Sequence, residues 1–368
     1  MITNASASLS AIERAVLADL QTMTYDEVRA KHGWSRGKIY ALACREGARK
    51  TEAKIRERAA DRKARQQEFL AEMIDQTATA DVLDYLDSMP DGCAQLVCTS
   101  PPYNVGKKYG EGAGADTMRH VYYLGWLMQI VSEAARVLAD GGVLFLQVGS
   151  TRDEHDHLMP LDIAVYDFIR KTGLTFQNRV IWTIPHGLTP RRRLAERHET
   201  VLIFCKGDRP RHFHANPLRI PQKDPGKRAF KGPNKGELSG HPLGAWPSNV
   251  WAIPNVGHNA PERTGHPAQM PSELVRRAIH LYTVPGDLVI DPFSGSGTTH
   301  ATCVETARRF SGCDLFYGDL RAKRLAATKL AAVCPLPGVT PESIAVWQAE
   351  TVRVDHDPSL QLDFLAVA

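Results

Sequence analysis

With 368 residues, 43% of them hydrophobic, and a net charge of +4, the chain is long and apolar enough for one large α/β domain with appendages, which excludes a disordered protein. Its seven cysteines, Cys44, Cys93, Cys98, Cys205, Cys303, Cys313 and Cys334, lie far apart without a Cys-x-x-Cys pair, so a disulfide framework is excluded and reduced, mostly buried thiols are expected. No apolar run reaches membrane-span length and no signal-peptide pattern opens the chain, so a cytoplasmic protein without membrane association is expected.

In chain order, Ser10 to Leu20 reads as a first helix. Thr24 caps a second, with Glu27 three residues on and Gly33 closing it, and Ser35 caps a third that runs to Cys44. Residues 1–50 thus have the outline of a helix-turn-helix module, whose last helix would offer Arg36 and Lys38 to DNA. A small helical cap on the main domain is the plainer alternative. Residues 51–78 read as a charged, solvated helical connector, since apolar residues are sparse there.

Leu96-Val97-Cys98 is a short apolar strand, and Thr99-Ser100-Pro101-Pro102-Tyr103 ends it. The two prolines forbid helix and further strand pairing, and they lack N–H groups. This corner offers acceptors only, namely the proline-stretch carbonyls and the Ser100 hydroxyl, beside the aromatic face of Tyr103. Such a corner suits an exocyclic amine, which donates two hydrogens. Further on, His155 with His157, and His212 with His214, lack companions at ligand spacing, and no metal site is expected.

Pro185 to Arg193 reads as a mobile basic loop, ending in Arg191, Arg192 and Arg193. From Lys206 to Lys235 the chain is rich in Lys, Arg, Pro and Gly, including Arg211, Lys227, Arg228 and Lys231, and shows almost no periodicity. A solvated connection is one reading. A nucleic-acid interface is the preferred one, because compact domains rarely keep so long a structureless loop without a use.

Asp287-Leu288-Val289-Ile290 is again of strand type, followed by Asp291-Pro292-Phe293-Ser294-Gly295-Ser296-Gly297-Thr298-Thr299 and a helix expected from Thr299 to Arg309. Gly295 and Gly297 permit positive φ, and the helix N-terminus suits an anionic group. His300 stands where a dinucleotide fold needs its third glycine, and no lysine follows Gly297 as a P-loop requires. The run Arg309 to Cys313 then ends in Asp314, placed to accept from ribose hydroxyls. A nucleoside carrying a carboxylate at its other end describes S-adenosyl-L-methionine.

Taken together, these motifs resemble the permuted β group of DNA amino-methyltransferases over roughly Thr79 to Leu330. The resemblance is carried also by Ala80-Asp81-Val82-Leu83, by Arg136 to Leu146 as helix, glycine turn and strand, by Arg197 to Lys206 as the last strand of the catalytic half, and by His266-Pro267-Ala268 to Leu274 as the opening of the cofactor half. It implies a three-layer Rossmann-like fold, with a catalytic half at 79–206, a target-recognition region at 207–262, a cofactor half at 263–334 and a tail at 335–368. By the same resemblance, Ser100, Pro101, Pro102 and Tyr103 are catalytic. Asp81, His266, Pro267, Phe293, Gly295, Gly297, Thr298 and Asp314 would hold S-adenosyl-L-methionine, with Asp81 at its adenine.

The resemblance further implies that a base flipped from double-stranded DNA lies against Tyr103 and that its amine attacks the methyl directly, with no covalent enzyme intermediate. The Ser-Pro-Pro-Tyr form is similar to that of enzymes acting on the N4 amine of cytosine, whereas adenine N6 enzymes usually carry Asp or Asn before the prolines. Adenine N6 methylation is therefore the nearer alternative. A DNA-binding regulator that only senses the cofactor is the more distant one. A restriction endonuclease is a possible partner, and Gln361-Leu362-Asp363-Phe364-Leu365 is similar to, without matching, peptides that dock on sliding clamps; a terminal strand tucked on the core explains it as well.

Overall fold

The computed structural model describes residues 10–20, 23, 25–35, 37–39, 42, 59–110, 116–185, 187, 189–241 and 243–329. The expectations for Thr24, Arg36, Cys44, Cys334 and the clamp-like tail lie outside them. Among the described residues the chain divides into two compact units, a larger one that holds the main sheet and a smaller one at Phe213–Ser248.

The larger unit begins with helices α1 (Ala11–Leu20) and α2 (Tyr25–His32), then α3 (Ala59–Met73). Ser10 and Glu13 cap α1 reciprocally, each backbone N–H donating to the other's side chain at 2.8 and 3.2 Å. Gly33, at φ +67°, ends α2, and Ser35 Oγ accepts from Lys38 N at 3.3 Å. Val16, Leu20, Val28, Ile39 and Leu42 close a small core of their own. This module also packs on the main domain: Arg29 pairs with Asp84, Tyr122 Oη donates to Glu13 at 2.9 Å, and Gly37 lies against Trp126.

The expected solvated connector is corrected. Phe69, Leu70 and Met73 of α3 pack on the main core, and Gln66 donates to the Asp87 carbonyl at 2.8 Å. Few apolar residues suffice because they share one helix face.

The main elements follow as β1 (Gln76–Thr79), α4 (Val82–Ser88), β2 (Ala94–Thr99), α5 (His120–Val137), β3 (Leu138–Val148), β4 (Ser150–Arg152), β5 (Leu158–Pro160), α6 (Leu161–Lys171), β6 (Leu174–Thr183), β7 (His198–Lys206), β8 (Val250–Ala252), α7 (Ser272–Tyr282), β9 (Leu288–Asp291), α8 (Thr298–Glu305), β10 (Arg309–Asp314) and α9 (Gly318–Ala327). The main sheet runs β1-β10-β9-β2-β3-β7-β6-β8. Its neighbours pair in parallel except β7, which is antiparallel to both β3 and β6. Strand β2 is buried along its length and β7 from Thr200 to Cys205, as a sheet covered on both faces requires. Val97, Leu144, Leu202 and Ile290 join α4, α5 and α6 in one core. By the strand period Leu96, Cys98, Phe145 and Ile203 face the other way, where Phe145 stacks on Trp251 and Arg277 of α7 covers that indole. The result is a three-layer α/β architecture, as the resemblance implied.

Three boundaries differ from the sequence reading. The helix expected to reach Arg309 stops at Glu305, because Ala307 turns at φ +57° and Arg308 is buried, donating to the Thr283 and Thr306 carbonyls at 2.8 and 2.6 Å. The expected glycine turn before β3 is an irregularity inside that strand, where Gly141 has φ +75° and the pairing with β2 shifts register. Residues 207–262 are not structureless throughout: β8 joins the main sheet, and in the smaller unit the bridges Ile220 to Ala245 and Arg228 to Leu238 nest as a ribbon.

Gly312 of β10 sits where an added Cβ would meet the Asp291 carbonyl and, at 2.5 Å, the buried His300 ring. Gly312→Ala is expected to destabilise the fold by about 1–3 kcal/mol through overpacking, read as a lower urea midpoint at unchanged slope.

Candidate active site

The strand order reverses direction between β9 and β2: from β9 the chain moves outward to β10, from β2 the other way to β3. At such a point the loops after the strands part and leave a crevice. A cavity of about 460 Å³ lies there, lined among others by Asp81, Ser100, Tyr103, His266, Phe293 and Asp314.

Both motifs meet at one carboxylate. Asp291, the last residue of β9, accepts from Thr99 Oγ1 at the end of β2 at 2.8 Å, from Thr299 Oγ1 in α8 at 2.6 Å and from its own loop's Phe293 N at 3.1 Å. Burial pushes its pKa up to about 6, and the hydrogen bonds from Thr299, Thr99 and Phe293 oppose that rise. Its partners lie too far apart in the chain for a local pattern to reveal this role.

The glycine loop is held from behind. Gly295, at φ +46°, donates its N–H to Asp314 Oδ2 at 2.9 Å, and an added Cβ would lie 3.0 Å from His266 Nε2. Gly297, at φ +76°, caps α8 but does not line the cavity; its α-carbon faces Arg321 instead. Gly297 forms the turn that starts α8. Thr298 lines the cavity and its Oγ1 accepts from Arg324 at 2.9 Å. Arg321, fully buried, donates to the carbonyls of Gly295, Phe316 and Ala78 at 3.3, 2.5 and 3.2 Å, tying two loops to strand β1. No local sequence pattern announced it.

At the β1 and β10 end of the cavity, Asp81 follows β1 and Asp314 is the last residue of β10, where it pairs with Thr79. Asp81 Oδ1 caps α4 by accepting from Leu83 N at 2.9 Å. Asp314 Oδ1 accepts from Phe316 N at 2.9 Å, and burial raises its pKa. His266 accepts from Ala268 N at 3.2 Å through Nδ1, and burial lowers its pKa to about 4, so it is neutral near pH 7. Phe293, half-buried, meets Trp126 edge-on at 5.5 Å, and Pro267 completes the rim.

At the other end, Ser100, Pro101 and Pro102 line the cavity after β2, and the Pro102 carbonyl accepts from Tyr123 Oη at 2.9 Å. Ser100 Oγ and the Pro101 carbonyl are the acceptors nearest the end of β2. The Tyr103 ring packs on Gly149, and its hydroxyl reaches Glu199 Oε2 at 3.0 Å, Gln147 Nε2 at 2.5 Å and Ser100 Oγ at 3.3 Å. Glu199 and Gln147 also bond each other. Sequence reasoning missed both residues as site members. Lys107, on the loop after Tyr103, reaches across to the Pro267 carbonyl at 3.5 Å.

The basic residues scatter. Arg191, Arg192 and Arg193 are exposed, with Arg193 paired to Glu196 at 2.6 Å. Lys38 is exposed beside Trp34, 3.9 Å from its ring centre. Arg211 donates its backbone N–H to the Gly141 carbonyl at 2.8 Å, at the start of β3 and so at the end of the sheet away from the cavity. Lys227, Arg228 and Lys231 are exposed in the smaller unit.

The donor set fits S-adenosyl-L-methionine: paired carboxylates for a nucleoside, an aromatic face, a glycine turn at a helix start, and an amine-accepting corner two strands further along. The Asp291 ties need an acceptor, so protonation disrupts them. Cofactor affinity is expected to fall as pH drops through about 6, measured by calorimetry from about pH 7.5 to about pH 5, and Asp291→Asn should flatten that dependence. An unchanged profile in the variant would contradict it.

Comparison with known proteins bears on this geometry. A DNA methylase family model, covering the N6 and N4 enzymes, matches residues 94–317. The Type II methyltransferase M.BglII of Bacillus subtilis is 38% identical over 247 residues, 67% of each chain. The DNA adenine methyltransferase YhdJ of Escherichia coli K12 is 28% identical over 236 residues, 64% of this chain and 76% of its own. The solved PvuII DNA methyltransferase, described as cytosine-N4-specific, shares the fold at a TM-score of 0.53 and 19% identity, over 76% of this chain and 93% of its own. With both motifs inside the matched region, the chain belongs to the N6/N4 DNA methylase family and is a DNA amino-methyltransferase that uses S-adenosyl-L-methionine.

Proposed function

We propose that the enzyme methylates the N4 amine of cytosine at a specific site in double-stranded DNA. The observation that carries this reading is the corner at the end of β2, where Ser100 Oγ stands beside Tyr103 with no N–H donor on either following proline. The bound cofactor supplies an electrophilic methyl group. The protein's part is to hold the flipped base and to accept both amine hydrogens, at Ser100 Oγ and the Pro101 carbonyl, so that the nitrogen lone pair is freed from the ring. Tyr103 and the prolines orient the base and exclude water. Adenine N6 methylation is the second reading, favoured by the adenine-specific relative.

DNA is bound, in this reading, by the exposed Arg191 and Arg192 and by the ribbon at residues 227–239. In that ribbon Ala229 N donates to Glu237 O and Gly236 N to Ala229 O, both at 2.9 Å, which presents Phe230 at its tip, 91% exposed, between Lys227, Arg228 and Lys231. Cations with an aromatic tip suit phosphate contact and wedging between bases. A restriction endonuclease with the same site belongs to this proposal, on the strength of the Type II relatives.

Three outcomes are expected. Unmodified bacterial DNA incubated with labelled cofactor and digested to nucleosides should carry label in N4-methylcytosine; label in N6-methyladenine would overturn the base assignment. Ser100→Ala should lower kcat by about 100-fold while calorimetry shows cofactor binding retained, and full activity would refute the acceptor role. Replacing Lys227, Arg228 and Lys231 with Gln should weaken DNA binding and reduce its logarithmic salt slope by about 2–3; an unaltered slope would remove the ribbon from the interface.

A further inference from the structure

The polar chain behind Ser100 has only one consistent direction when Glu199 is ionised. A carboxylate accepts and cannot donate, so the Tyr103 O–H points to Glu199 Oε2, 3.0 Å away. Gln147 donates to both Tyr103 Oη and Glu199. Tyr103 Oη has then spent its proton and can only accept from Ser100, 3.3 Å away. The Ser100 proton is therefore committed away from the cavity, and its lone pairs are left for the substrate amine. Were Glu199 protonated, the chain could reverse and Ser100 would present a donor, which repels an amine.

We infer that Glu199 sets the polarity of this chain and is the terminal acceptor of the proton lost by the methylated amine. The inference rests on the amine-methylation reading above. The nitrogen lone pair forms the new N–C bond while the C–S pair stays with sulfur. An N–H proton passes to Ser100 Oγ, the Ser100 proton to Tyr103 Oη, and the Tyr103 proton to Glu199 Oε2, leaving neutral hydroxyls, a neutral carboxyl group and a neutral secondary amine. The proton returns to solvent after product leaves. Glu199 is half-buried and lines the cavity. Burial raises its pKa above the usual carboxylate value, while Tyr103, Gln147 and Lys107 favour the charged form and Glu196 opposes it. Burial likewise holds the Tyr103 phenol neutral.

Glu199→Gln and Tyr103→Phe test this, each keeping the shape of the side chain. Single-turnover methyl transfer should fall by about 100-fold or more in both, with cofactor affinity by calorimetry unchanged. The wild-type rate should rise with pH through one acidic titration that Glu199→Gln lacks, and the protonated-carboxyl infrared band appearing at that pH in the enzyme without substrate should vanish in the variant. Wild-type rate and pH profile in both variants would overturn the relay. If Ser100→Ala were inactive while those two stayed active, only the relay would fail; if Ser100→Ala were active as well, the amine reading itself would fail.

Discussion

One buried carboxylate joins the two halves of this site. Asp291 ends β9 and holds Thr99 at the end of β2, Thr299 in α8 and the backbone of Phe293. Burying a carboxylate without partners is expensive, and three converging donors offset that cost. The donors come from residues nearly two hundred positions apart in the chain. The crevice at the strand reversal therefore has a fixed width, since neither loop can shift without stranding a donor. Ser100 and the glycine loop, one on each side of the crevice, hang from these two loops.

From that tie the site unfolds along the carboxyl ends of the strands in sheet order. Asp81 follows β1, Asp314 ends β10, the glycine loop follows β9, Ser100 follows β2, and Gln147 and Glu199 lie on β3 and β7. The order of chemistry in the cavity is the order of strands in the sheet. Antiparallel β7 matters here, because it brings Glu199, near its start, to the same end of the sheet as the ends of its neighbours.

The sequence made the punctuated parts of this design legible. Prolines and glycines mark where strands stop, so both motif loops and the β10 run ending at Asp314 could be placed by local rules. Partners distant in sequence were not legible. Glu199 was read only as strand, because Tyr103, which gives it meaning, lies 96 residues earlier. Arg321 carries no local signal, since its three carbonyl partners come from two loops and strand β1, far apart in the chain. The ribbon around Phe230 was hidden for a different reason: backbone pairs hold it, and its Lys, Gly and Pro content resembles a loop. Arg211 looked like its basic neighbours, and only the register of β3 and β7 shows that it leaves the sheet at the far end.

A double-mutant cycle between Thr99→Val and Asp291→Asn, read on the cofactor dissociation constant, tests most directly whether the two motifs form one site through Asp291. A coupling energy of about 1–2 kcal/mol is predicted, with each single variant already weakening binding although Thr99 is buried behind the cavity wall. Additive effects, or full affinity in Thr99→Val, would show that the halves hold the cofactor independently and that the tie between β9 and β2 does not organise the site.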